Sequence, residues 1–177
     1  MPQRARKRET RKGNPLIGLA IFLVAIVGAV AIILFAGSLG QANVDDVKED
    51  GKVRFIRPGE SLAMHIHAGV RIIINGEEVK IPAGVGIVGN RERILHTHEP
   101  NGVIHIESPV VRDYTLGDFF KVWGMRLTDS CIFEYCNNET HRLVMLVNGV
   151  PQENIKDYVL KNGDSIILIY DEISNLA

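Results

Sequence analysis

Charge is missing from one long stretch of this chain: no Asp, Glu, Lys or Arg occurs from Gly13 through Val44. Cysteine is scarce too, with only Cys131 and Cys136 in 177 residues. Their spacing, Cys-x-x-x-x-Cys, fits no common zinc pattern. No cysteine directly follows the apolar run, which argues against a lipoprotein-type anchor. No Gly-x-Ser-x-Gly or other Ser–His–Asp nucleophile signature is present, so covalent hydrolase chemistry has no foothold. There is no repeat of solenoid length and no low-complexity tract. The glycine-rich segment 83–90 (AGVGIVGN) has no helix-opening pattern behind it, which excludes a phosphate-cradling loop.

What the uncharged stretch does hold is LIGLAIFLVAIVGAVAIILF, residues 16–35. Twenty helical residues rise about 30 Å, the thickness of a bilayer's hydrocarbon core. A buried helix of a soluble protein would show a polar stripe, and this run has none. Ala36-Gly37-Ser38 offers small residues for cleavage, but signal-peptide apolar regions run only about 7–15 residues. A retained single-pass anchor over 15–36 is therefore the expectation. The tip, 1–14, carries Arg4, Arg6, Lys7, Arg8, Arg11 and Lys12 against Glu9 alone, while the rest holds fourteen basic and twenty acidic residues. Positive charge before a membrane helix predicts a cytoplasmic N-terminus and an extracytoplasmic C-terminal domain. The basic tip has no aromatic residue, so lipid headgroups explain it better than nucleic acid.

Residues 37–52 read as a polar, acidic linker, and 53–177 as one extracytoplasmic β-rich domain large enough for a single core. Within it, 53–56 and 61–67 are short strand candidates. Asn75-Gly76 between alternating runs is a strong hairpin signal, with Ile72 expected opposite Val79 and Val70 opposite Ile81. The segment 83–90 reads as a loop. Thr115 is expected to cap a short helix, with Asp118 completing a capping box and Gly124 stopping it. Leu116, Phe119, Phe120 and Trp123 then share one face, which is core. Cys131 and Cys136 are expected to form a disulfide on the oxidising side of the membrane. Strands follow over 143–147 and 165–170, so the expected fold is α+β, mainly antiparallel, with one short helix.

The chemistry concentrates in histidine. His65-x-His67, His96-x-His98 and His105-x-Glu107 place five of the six histidines in two short stretches. Glu99-Pro100-Asn101-Gly102 is turn chemistry, which makes 95–108 a hairpin with His96 opposite His105 and His98 opposite Val103. His96, His98, His105 and Glu107 then share one face, because strand side chains alternate. Leu95, Thr97, Ile104 and Ile106 fall on the other, as core. Opposed imidazoles, with Cβ atoms about 5 Å apart, can converge on one transition metal. Imidazole suits copper and zinc, and these are the candidate cofactors. Three surface histidines on a solvated sheet face remain the alternative.

Residues 143–170 (LVMLVNGVPQENIKDYVLKNGDSIILIY) resemble the closing strands of ubiquitin-like β-grasp domains, which implies a β-grasp-like layout. Sulfur-carrier members of that fold end in Gly-Gly. This chain ends Ser174-Asn175-Leu176-Ala177, so that chemistry does not carry over. The string His65-x-His67, IPAGVGI, HTHEPNGVIHIESP and TLGDFFKVWG is similar to a family of membrane-anchored extracytoplasmic domains. That resemblance implies compartment and architecture, and no activity. The cupin pattern fails: it needs a carboxylate after three or four intervening residues beyond HxH, where Gly102 and Val103 stand.

Three functions compete on these residues. The first is a metal-binding module using His96, His98 and His105, joined by His65 and His67, with Glu107 as carboxylate partner. The second is a structural subunit docked on an integral-membrane complex, its histidines forming the contact. The third is a zinc hydrolase with Glu99 or Glu107 as general base.

Overall fold

The computed structural model describes residues 48–49 and 52–176. The chain divides into two units, Met1–Ala42 and Asn43–Ala177, and everything described lies in the second. The basic tip, the expected membrane helix over 15–36 and most of the 37–52 linker therefore lie outside the described residues. Among those described, no helix is long and apolar enough to cross a membrane.

The elements run β1 (Lys48–Glu49), β2 (Lys52–Val53), β3 (Met64–Ile74), β4 (Glu77–Val79), β5 (Ile87–Val88), β6 (Arg91–Glu92) and β7 (Leu95–His96). They continue with β8 (Val103–Ser108), helix α1 (Leu116–Trp123), β9 (Cys131–Ile132), β10 (Tyr135–Cys136), β11 (His141–Val147), β12 (Val150–Gln152) and β13 (Ser165–Glu172). The unit is mostly β, with one short α-helix among the described residues. Its main sheet has seven strands in the order β12-β11-β13-β3-β8-β7, with β4 also on β3.

β3 organises this sheet. Its inward residues Ala68, Val70, Ile72 and Ile74 are buried, while His65 and His67 face outward. Two separate strands were expected here, broken near Ala68-Gly69. Instead one strand of 11 residues runs through, because each half has a partner. β8 pairs antiparallel with 64–69 on one edge, and β13 pairs parallel with 69–74 on the other. The sheet is therefore mixed rather than simply antiparallel. The Asn75-Gly76 turn forms, both residues at positive φ, and Ile72 stands opposite Val79. The expected Val70–Ile81 pair does not form. The β4 ladder stops at Val79, and the Val70 amide donates instead to the Gly102 carbonyl at 2.8 Å. Both side chains are still buried. The segment expected as a loop over 83–90 supplies β5, which pairs with β6.

The helix forms as its sequence dictates. Thr115 Oγ1 accepts the Asp118 amide at 3.1 Å, and Asp118 Oδ2 accepts the Thr115 amide at 3.2 Å. Gly124 ends it at φ 80°. Leu116, Phe119 and Phe120 join the same core as Ile72, Ile104 and Ile106, and Trp123 packs partly buried against it. Burying each of these large apolar side chains contributes about 1.5–3 kcal/mol. Cys131 and Cys136 face one another across β9 and β10 at disulfide distance.

Candidate metal centre

Three strands bring the histidines together on the outer face of the sheet. In register, His67 on β3 stands opposite His105 on β8, and His105 stands opposite His96 on β7. One step along, His65 stands opposite Glu107. The inward neighbours Leu95, Ile104 and Ile106 are fully buried, as is Thr97. This alternation is what aims every imidazole of the row outward. His98 lies beyond the end of β7, so its expected ladder pair with Val103 is absent. The loop is longer than the four residues 99–102, because Thr97 leaves the ladder to bond elsewhere. Its hydroxyl donates to the Pro82 carbonyl at 2.8 Å and accepts the Val85 amide at 3.1 Å.

That bonding holds the 82–88 segment against β7, and His96 itself has no exposed surface. Gly86 passes directly against the Leu95 carbonyl at φ 78°, where any side chain would collide. Gly102 does the same against Val70 at φ 77° and fixes the entry into β8.

His96 is the best-positioned residue of the group. Its Nδ1 lies 2.8 Å from the Arg93 carbonyl. A carbonyl can only accept, so Nδ1 carries the proton and Nε2 keeps its lone pair. That Nε2 is 3.1 Å from His98 Nε2, and 3.9 Å from carboxylate oxygens of both Glu92 and Glu107. A ring nitrogen donating to a backbone carbonyl is the usual support for a metal-bound histidine. Arg93 is itself held, with its guanidinium donating to the Val53 carbonyl at 2.7 Å and stacked 4.1 Å from the Phe55 ring.

His105 occupies the middle. Its ring centroid lies 4.5 Å from His67, 4.6 Å from His98 and 5.3 Å from His96. Its Nδ1 is buried with no hydrogen-bond partner among the described residues, and the nearest carboxylate oxygen, on Glu107, is 3.9 Å away. On the far side, His65 Nε2 lies 3.2 Å from both His67 Nε2 and Glu107 Oε1. Ligand-capable atoms of His96, His98, His105 and Glu107 all fall within 4.8 Å of one another, and so do those of His65, His67 and His105.

Two of these spacings are compatible with ligand edges. Zinc–nitrogen bonds of about 2.0–2.1 Å in a tetrahedron separate the nitrogens by about 3.3–3.4 Å, and a square-planar copper site would separate them by about 2.8–3.0 Å. The Nε2 pairs at 3.1 and 3.2 Å lie between the two. Two of the imidazoles, His96 and His105, are also shifted toward the form that ligates. Burial pushes His96 below the ordinary histidine range. Burial, with added repulsion from His67, His96 and His98, pushes His105 down to about 4. Both are neutral near pH 7, the form that ligates.

The structure thus gathers His65, His67, His96, His98, His105 and Glu107 in one place. Glu99 joins neither group; it sits in the loop, where its carboxylate accepts from Asn101. His141 is elsewhere, stacked on Tyr170. Sequence reasoning missed Glu92, whose position depends on the β5–β6 hairpin and has no periodic signal of its own. Compared with known proteins, the chain matches no family model, no curated protein and no solved structure.

Proposed function

We propose that this chain is a membrane-anchored extracytoplasmic protein whose β-rich domain binds a transition metal, copper or zinc, through His96, His98, His105 and Glu107. The observation that carries the reading is His96: fully buried, its Nδ1 proton committed to the Arg93 carbonyl, its Nε2 aimed at His98 Nε2. The anchor is residues 16–35, with the lipid bilayer as its partner, and it rests on hydropathy and flanking charge. A β-grasp-like layout is supported by the strand order β4-β3-β13-β11-β12, with its parallel β3–β13 pair and the helix between β4 and β11. The hydrolytic alternative is weaker, because Glu107 is placed among the ligands and Glu99 lies apart, which leaves neither as a base.

The full chain, stripped with chelator and titrated calorimetrically with Zn(II) and Cu(II), should bind with sub-micromolar affinity at pH 7.5. His98→Ala should weaken binding at least tenfold. Binding weaker than micromolar for both metals, or affinity unchanged in His98→Ala, overturns the proposal. A reporter fused to the C-terminus and found in the cytosol would overturn the topology.

A further inference from the structure

The histidines do not form one ring of ligands around one point. They form two arms. His96 and His98 converge on one side, with Nε2 atoms 3.1 Å apart, and His65 and His67 converge on the other, 3.2 Å apart. His105 is common to both arms, standing opposite His67 on one neighbouring strand and opposite His96 on the other. A single tetrahedral ion has four places, and six donor side chains are assembled here. We propose that the cluster is a two-metal centre, with one ion held by His96 and His98, a second held by His65 and His67, and His105 between them as the shared ligand. This deepens the metal-binding reading above and rests on it.

The chemistry of the shared residue follows from its electrons. An imidazole nitrogen carries one lone pair in the ring plane, so His105 serves two ions only by giving one nitrogen to each. The neutral ring has a proton on one nitrogen. That proton leaves to solvent when the second ion binds, and the ring becomes an imidazolate bridging the two cations. The buried Nδ1 without a hydrogen-bond partner fits this role, because a metal would supply the missing contact. Glu107 stands beside the bridge. Its Oε1 is 3.2 Å from His65 Nε2 and 3.9 Å from His96 Nε2 and from His105 Nδ1, within reach of either ion, and its negative charge offsets the two cations. The arms differ in setting. On the first arm His96 is buried and His98 exposed, whereas His65 and His67 on the second are both exposed.

The test is stoichiometry with a magnetic readout. The full chain is stripped, loaded with excess Cu(II), desalted, and assayed for copper by elemental analysis and by double-integrated electron paramagnetic resonance. Two coppers per chain are expected, with the doublet signal at neutral pH far below two spins because the bridge couples them. In His65→Gln/His67→Gln, whose altered side chains are on the exposed arm and leave the core untouched, one copper should remain and give one full spin. One copper per chain in the unaltered protein overturns the two-metal centre and leaves the metal-binding proposal standing. Two coppers with two full spins overturn the bridge. No copper, and no zinc when the stripped chain is loaded with Zn(II) instead, overturns both readings together.

Discussion

Acid should destabilise the metal-free protein by an amount set largely by one side chain. In the fold, burial and the neighbouring imidazoles hold His105 at about 4, against about 6.5 in an unfolded chain. Above pH 6.5 the ring is neutral in both states and titration costs nothing. As pH falls below 6.5 the unfolded chain takes up a proton that the folded chain refuses. Stability then drops by about 1.4 kcal/mol per pH unit, until the folded ring also protonates near pH 4. Integrated from pH 7 to pH 4, the loss is about 3 kcal/mol, a large share of the 5–15 kcal/mol typical of a domain. The His105 side chain is 21% exposed, so screening by solvent removes only part of this. His96 adds to the loss in the same direction. Urea denaturation in chelator at pH 7, 6, 5 and 4 measures it. His105→Leu should flatten the pH slope by at most about 3 kcal/mol across that range, whatever it does to stability at pH 7. Parallel slopes in the two proteins would refute the reasoning.

Three further outcomes follow from particular contacts. Gly102→Ala places a methyl against the Val70 carbonyl at a φ that L-residues avoid, and should cost about 1–3 kcal/mol in thermal denaturation. Because the same glycine sets the β8 register, this variant should also weaken zinc binding. Thr97→Val leaves the Pro82 carbonyl and the Val85 amide without their hydroxyl partner. It should destabilise by about 1–3 kcal/mol, and faster hydrogen exchange at Val85 would locate the damage. Thr115→Ala removes half of the capping box and should cost about 1 kcal/mol with metal affinity unchanged, since α1 contributes no ligand.

Much of the local structure was legible because it depends on neighbours in sequence. Asn75-Gly76 demands positive φ at both positions and finds it, and Thr115 and Asp118 are close enough to cap one another. His96 opposite His105 followed from turn chemistry and strand alternation alone. The union of His65 and His67 with that hairpin was only partly legible. It requires β8 to choose the first half of β3 as its partner, and no pattern within either strand encodes that choice. The fusion of 64–67 with 70–74 into one strand escaped for the same reason. Gly69 reads locally as a break, yet its amide is held by the Asp164 carbonyl at 2.8 Å from the far end of the chain. The docking of 82–88 against β7 was invisible because it is made by tertiary contact between a loop and a buried threonine hydroxyl.

β3 has one further consequence, and it concerns time. The strand that carries two of the imidazoles is clamped from behind by residues close to the C-terminus: the His67 amide donates to Asn162 Oδ1, 95 residues away. Pairings that distant form slowly, since the intervening chain must be closed into a loop before they are rewarded. During synthesis the carboxyl-terminal strand is the last to arrive, and until then the beam beneath His65 and His67 is held along one edge only. Until 162–170 has docked, His65 and His67 therefore stand on a strand paired along one edge only, without the support that sets their spacing.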